Sequence, residues 1–199
     1  MVAHADSTRQ RIIGVGTLLF YERGYHGTSV RQIAAGLDMG TGSLYNHFSS
    51  KQELLLTICL DAADALYQGA VPRIEAQTGA EARLRALVTW HVEFHAKNRL
   101  AAMVADEHLH ALVPGNRRQV EGRRERQAEL LRAVLAEGRK ELGWQFDDET
   151  AITFGITTMC TQVDTWYREG GRLQPSEIAA TFADFIVRGL GGRSASPVH

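Results

Sequence analysis

Proline stands at only four of 199 positions, 72, 114, 175 and 197. Between them apolar residues recur three and four apart and almost never alternate, a pattern that leaves helix as the one regular structure on offer. Ser7-Thr8 would cap a first helix reaching about Arg23, with Ile12, Ile13, Val15, Leu18, Leu19 and Phe20 at helical spacing and Gly24 ending it. A short second helix follows from about Ser29 to Leu37, where Ser29 and Gln32 form a capping-box pair and Val30, Ile33, Ala34 and Leu37 make a buried face. After the tight turn Asp38-Met39-Gly40, a third helix covers about Thr41 to Phe48. Ser50 with Glu53 then opens a long fourth helix from Lys51 to about Gly69. Val71-Pro72 and Thr78-Gly79 mark a boundary. Beyond it helical patterns cover about 80–97, 100–112, 117–142, 148–168 and 175–190, and the Gly/Ser/Pro-rich residues 191–199 are expected to be a disordered tail. The fold class expected is all-α, with about nine helices.

The composition narrows the function classes. Hydrophobic residues are 44% and charged residues 23%, the balance of a soluble globular chain, and neither a disordered nor a fibrous one. The net charge is -1, so no overall field attracts a polyanion, and any nucleic-acid contact has to come from a local patch. Cys59 and Cys160 sit in apolar stretches and have no partner at metal-ligand spacing, as for small core residues in a reducing compartment. The run Ile12 to Phe20 behind Arg9 and Arg11 imitates a signal peptide, but Glu22 and Arg23 follow at once, no small-residue cleavage site appears, and the run is too short to span a bilayer. A cytoplasmic protein with no membrane partner is expected.

Two short helices joined by a tight turn are the geometry of a helix-turn-helix, in which the second helix enters the DNA major groove. Leu44 and Phe48, four apart, would pack the third helix onto Ile33 and Leu37 and turn Thr41, Ser43, Tyr45, Asn46 and His47 outward. Asn46 has the groups to pair an adenine edge bidentately, Thr41 and Ser43 to donate or accept at base edges, and Gly42 the room for close backbone approach. The ordered run from Gly24 through Tyr25-His26-Gly27-Thr28-Ser29-Val30-Arg31-Gln32-Ile33-Ala34, then Gly42 through Phe48, then Ser50-Lys51-Gln52-Glu53-Leu54-Leu55, closely resembles the DNA-binding domain of TetR-family transcriptional regulators over about Thr8 to Leu60. That resemblance implies a TetR-type DNA-binding domain at 1–60 and a helical effector-binding and dimerisation domain at 61–190. It also implies phosphate contacts by Tyr45, His47, Lys51, Thr28, Ser29 and Arg31. Gly40 departs from many relatives, which cap the recognition helix there with Ser; glycine still caps acceptably.

Residues 1–60 hold five Lys or Arg against four Asp or Glu, a net +1, so the affinity expected for double-stranded operator DNA depends on two copies on a two-fold axis. The apolar residues Ile152, Gly155, Met159 and Val163 of one late helix, and Ile178, Phe182, Phe185 and Ile186 of the last, suit either a core or an interface. The TetR resemblance implies a homodimer through these two helices and a palindromic operator. The middle helices are expected to enclose a small-molecule effector among Trp90, His91, Phe94, His95, Met103, Asp106, Glu107 and Trp166. Asp106-Glu107 and the stretch Trp166 to Leu173 look like a subgroup of TetR regulators of fatty-acid or steroid breakdown that respond to acyl-CoA thioesters. The basic run Arg117, Arg118, Arg123, Arg124 and Arg126 is either a solvated face interleaved with Glu121, Glu125 and Glu129 or a basic mouth for such an anionic effector. His91 and His95 share a face, but a lone His-x3-His occurs equally in pocket walls, and no metal and no cofactor are expected. The competing class is an enzyme or metal-binding protein on a helical bundle. No nucleophile–base order, nucleotide loop or paired carboxylate motif stands out, so the expectation is a regulator and not an enzyme.

Overall fold

The computed structural model describes residues 2–191, with side chains from Ser7 onward, and is helical throughout with no strand among the described residues. The expected tail at 191–199 falls, beyond Gly191, outside the described residues. The helices are α1 (Val2–Gly27), α2 (Val30–Ala35), α3 (Thr41–Tyr45), α4 (Lys51–Glu75), α5 (Ala80–Lys97), α6 (Arg99–Glu107), α7 (Pro114–Leu142), α8 (Glu149–Thr161), α9 (Val163–Trp166) and α10 (Pro175–Gly191). A 3-10 turn at Leu109–Ala111 precedes α7. The expected nine become ten among the described residues because the single turn α9 separates from α8.

Several boundaries differ from the sequence expectation for local reasons. Helix α1 begins at Val2, so Ser7 and Thr8 lie inside it and cap nothing. Its regular part stops at Gly24, whose φ of 72° and ψ of 161° break the helix with a conformation that glycine adopts at little cost. Helix α4 does not stop at Gly69. It runs through Pro72 to Glu75, although proline has no N–H for the carbonyl four residues before it, and Arg73 Nη1 donates to Gly69 O at 2.7 Å. Pro114 opens α7 where a break was expected, as the first residue of a helix needs no N–H. Asp148 caps α8 by accepting from Ala151 N at 2.6 Å.

The residues group into two compact units. The first takes residues up to 64 together with 100–123. Its core is Ile12 and Phe20 of α1, Ile33 of α2, Leu44 of α3, Phe48, the α4 residues Leu54, Leu55 and Ile58, and Val104, Leu112 and Val120. The second takes residues 65–99 and those from 124 onward. There Leu84, Leu87, Val88 and Val92 of α5 pack with Leu131, Val134 and Leu135 of α7, Ile156 and Cys160 of α8, and Ile178, Ala179, Ala183, Ile186 and Leu190 of α10. Compared with a single cut at residue 60, the amino-terminal unit also carries α6 and the start of α7.

Candidate nucleic-acid interface

Helix α2 starts where the sequence places it. Ser29 at the cap has extended backbone (φ -104°, ψ 153°), its Oγ accepts from Gln32 N at 3.3 Å, and Gln32 Oε1 accepts from Ser29 N at 2.7 Å, so two otherwise orphaned N–H groups are satisfied reciprocally. After the helix, Asp38 takes the left-handed conformation (φ 53°), which Asp tolerates better than most residues, and the chain turns back into α3. That helix begins at Gly40 with no side-chain cap. Leu44 and Phe48 are buried, one turn apart, in the cluster that holds Ile33 and, at its edge, Leu37. Gly42, Ser43 and Asn46 are exposed, Tyr45 is 52% exposed, and Thr41 and His47 are half-buried. The anchor residues point in and the polar face is open to solvent.

At the cap of α4, Ser50 Oγ accepts from Glu53 N at 3.1 Å. The reciprocal bond comes from Ser49 and not Ser50: Glu53 Oε2 accepts from Ser49 N and Ser49 Oγ, both at 2.6 Å. These bonds hold the Glu53 carboxyl below its ordinary range. Lys51 Nζ donates to Tyr25 O and Thr28 O, each at 2.7 Å. Partial burial lowers its pKa. Two of its three N–H groups are thus spent inside the protein. Ser29 and Arg31 are exposed.

Thr28 is a correction. Its side chain, expected at a phosphate, is 1% exposed, and Oγ1 lies 3.0 Å from Leu19 O and 2.9 Å from Gly24 O. A buried hydroxyl that donates to carbonyls of the first helix ties down the turn into α2. The sequence reading also missed Gln52. Its Nε2 donates to Tyr25 Oη at 2.8 Å and Ala111 O at 2.7 Å, while Oε1 accepts from Val113 N at 3.1 Å. His108, expected among the polar groups of the effector pocket, donates from Nε2 to Phe20 O at 3.0 Å within the first unit. Nothing in the local sequence announces either, since the partners lie up to 88 residues away.

In the second unit the expected effector residues separate by role. His91 and His95 are buried with rings stacked at 4.9 Å. His91 Nε2 lies 3.1 Å from Thr161 Oγ1, and His95 donates from Nδ1 to Asp164 Oδ2 at 3.3 Å. Trp90 donates from Nε1 to Leu66 O at 2.7 Å and carries the Arg73 guanidinium 3.9 Å from its ring centre, with Phe94 5.7 Å away. Trp166 is exposed. Met103, Asp106 and Glu107 belong to the first unit, the last two exposed. The basic run is a solvated face at Arg117, which pairs with Glu121 at 2.7 Å, and at Arg123, which pairs with Asp64 at 2.9 Å.

The expected dimer residues need a second correction. Val163, Ile178 and Ile186 are buried in the second unit's own core, because the inward stripe of α10 runs Ile178, Ala179, Ala183, Ile186, Leu190. Gly155 is exposed, Ile152, Met159 and Phe182 are half-buried, and Phe185 is 70% exposed. Phe154, overlooked in the sequence, is 72% exposed.

Residues 12–58 match the profile of bacterial regulatory proteins of the tetR family, and residues 77–190 match the tetracyclin repressor-like C-terminal domain. HTH-type transcriptional repressor KstR2 of Rhodococcus jostii (strain RHA1) is 28% identical over 184 residues, 92% of this chain and 90% of that protein. The crystal structure of a tetR-family regulatory protein from Rhodococcus RHA1 has a TM-score of 0.87 at 27% identity, covering 94% of this chain and 98% of that one. AibR, solved in complex with isovaleryl coenzyme A and operator DNA, shares the fold with a TM-score of 0.78 at 23% identity, covering 89% of this chain and 96% of that one. With both halves matched, and the buried anchors and open polar face of α3 in place, the chain belongs to the TetR family of DNA-binding transcriptional regulators, a family of regulators and not of enzymes.

Proposed function

We propose that the protein is a homodimeric repressor that sits on a palindromic operator and leaves it when a small-molecule effector binds, with no catalytic step of its own. The observation that carries this reading is the division of α3 and the turn that follows it into a buried pair, Leu44 and Phe48, and an exposed polar face. There Thr41, Gly42, Ser43 and Asn46 read base edges and Tyr45 and His47 take phosphates, as do Ser29 and Arg31 at the start of α2 and the remaining N–H of Lys51 on α4. The DNA contacts lie within residues 1–60, and effector binding and dimerisation within 61–190. Operator and protein meet in the cytoplasm.

Dimerisation is assigned to the outward sides of α8 and α10. Phe154 and Phe185 are large apolar side chains left open on one protomer, the kind of surface that an isologous interface covers. Ile152, Gly155, Met159 and Phe182 flank them. The effector is assigned to the second unit around Trp90, His91, Phe94 and His95, with Trp166 at its margin. An acyl-CoA thioester is the favoured class, on the strength of the sequence likeness at Trp166 to Leu173 and of the isovaleryl coenzyme A bound to AibR. Binding favours a conformation in which the two recognition helices no longer match successive major grooves. Helix α4 carries Lys51 in its first turn and Leu66, Gly69 and Arg73 against Trp90, which makes it the lever.

Genomic fragments selected by the purified protein should share an inverted repeat, and acyl-CoA thioesters titrated into the protein–operator complex should lower its fluorescence anisotropy. Recovery of fragments with no common repeat overturns the operator reading; saturating thioesters without release overturn the effector class.

A further inference from the structure

Gln127 is 7% exposed and lies on α7 one turn before Leu131, which belongs to the second unit's core. Yet neither its Oε1 nor its Nε2 meets a hydrogen-bond partner within the chain. A primary amide offers two N–H donors and a carbonyl acceptor, and taking it out of water with none of them matched opposes folding. Leucine or methionine would fill the same space without that penalty. A buried amide in this condition calls for an explanation.

The helices around it say what lies at its level. Arg83 of α5 donates from Nη1 to both carboxylate oxygens of Glu137 on α7, at 2.6 and 2.8 Å, and Ala80 N donates to Glu141 Oε2 at 2.9 Å. The two helices therefore run antiparallel, and their equal rise per residue brings Gln127 level with Trp90 to Phe94. On α4 the same level is marked by Leu66, which accepts from Trp90, and by Tyr67, whose ring centre is 4.5 Å from the Arg126 guanidinium. Asp164 has His95, and the Arg126 guanidinium lies over the Tyr67 ring.

We propose that Gln127 anchors an uncharged group of the effector that both donates and accepts, an amide or a hydroxyl. The proposal rests on the reading that the protein answers to a small-molecule effector, and the pantetheine arm of a coenzyme A thioester carries amides of this kind. A carboxylate offers acceptors only, so it leaves Gln127 Oε1 without a donor.

Isothermal titration of the full-length protein with octanamide, 1-octanol and octanoate separates these cases. Octanamide and octanol should bind, with octanoate at least tenfold weaker. Gln127→Leu and Gln127→Met should each weaken octanamide at least tenfold while melting no lower than wild type, which shows that both variants fold. The proposal is overturned if octanoate binds as tightly as octanamide, if either variant holds octanamide as wild type does, or if wild type binds neither octanamide nor octanol. Operator affinity is measured on the same samples. Loss of it in wild type overturns the repressor reading alone, and retained affinity without octanamide binding overturns this one alone.

Discussion

The Lys51 ammonium lies 4.2 Å from the centre of the Tyr25 ring and donates to the carbonyl of that same residue at 2.7 Å. Together with its bond to Thr28 O, this pins the turn between α1 and α2 to the first turn of α4. Lys51→Met should cost about 1–2 kcal/mol of stability in urea denaturation, from the lost charge-assisted bonds at a partly exposed site. It should also weaken every DNA sequence alike and reduce the salt slope by about one, as expected for one lost phosphate contact. An unchanged slope would make Lys51 purely a clamp.

Asn46 is exposed at the end of α3, so its removal leaves the fold alone. Asn46→Ala should keep the melting temperature, lose about 1–3 kcal/mol of operator affinity and flatten the preference at one base pair. Anisotropy titrations against a panel of singly substituted operators check it.

Gly69 is where α4 meets a tryptophan. A Cβ at that position would stand 2.0 Å from Trp90 Cζ2, and the ring cannot slide, since its Nε1 is bonded to Leu66 O and Arg73 covers its face. Gly69→Ala should destabilise by about 1–3 kcal/mol or more. The double variant Gly69→Ala, Trp90→Leu should be non-additive in a denaturation cycle, because the clash disappears with the ring.

Phe185 contributes little to its own protomer. Phe185→Lys should leave the isolated fold within about 0.5 kcal/mol of wild type, yet shift the protein to monomers in sedimentation velocity and lower operator affinity. A dimer of unchanged affinity would place the interface elsewhere.

His91 sets a pH dependence. Burial, and secondly the neighbouring His95, hold its pKa well below the ordinary imidazole value. Above about pH 7 the ring is neutral whether the chain is folded or not and contributes no slope. Below about 6.5 the unfolded chain takes up a proton that the folded one refuses, so stability should fall as pH drops, by up to about 1.4 kcal/mol per pH unit, until the folded pKa is reached. Urea midpoints at descending pH should show this in wild type and less of it in His91→Gln.

What could be read before the structure follows from the range of each interaction. Ser29 with Gln32, and Leu44 with Phe48, act within one helical turn, and spacing alone identifies them. The resemblance that puts Thr28 among the phosphate contacts says nothing of its side chain, whose burial depends on the Leu19 and Gly24 carbonyls. Helices α8 and α10 carry apolar residues on both sides, so periodicity could not say that Ile178 and Ile186 go inward while Phe185 stays out. Gln52 bonds residues 27, 59 and 61 positions away, distances at which a single sequence is silent.

Because α3 is held by Leu44 and Phe48 while Gly42, Ser43, Tyr45 and Asn46 take no part in the packing, its address label is separable from its mounting. A lineage, or an engineer, can rewrite the exposed residues to suit a new promoter without re-solving the fold beneath. In such a protein, regulatory rewiring is limited by selection at the DNA and not by what the scaffold will bear.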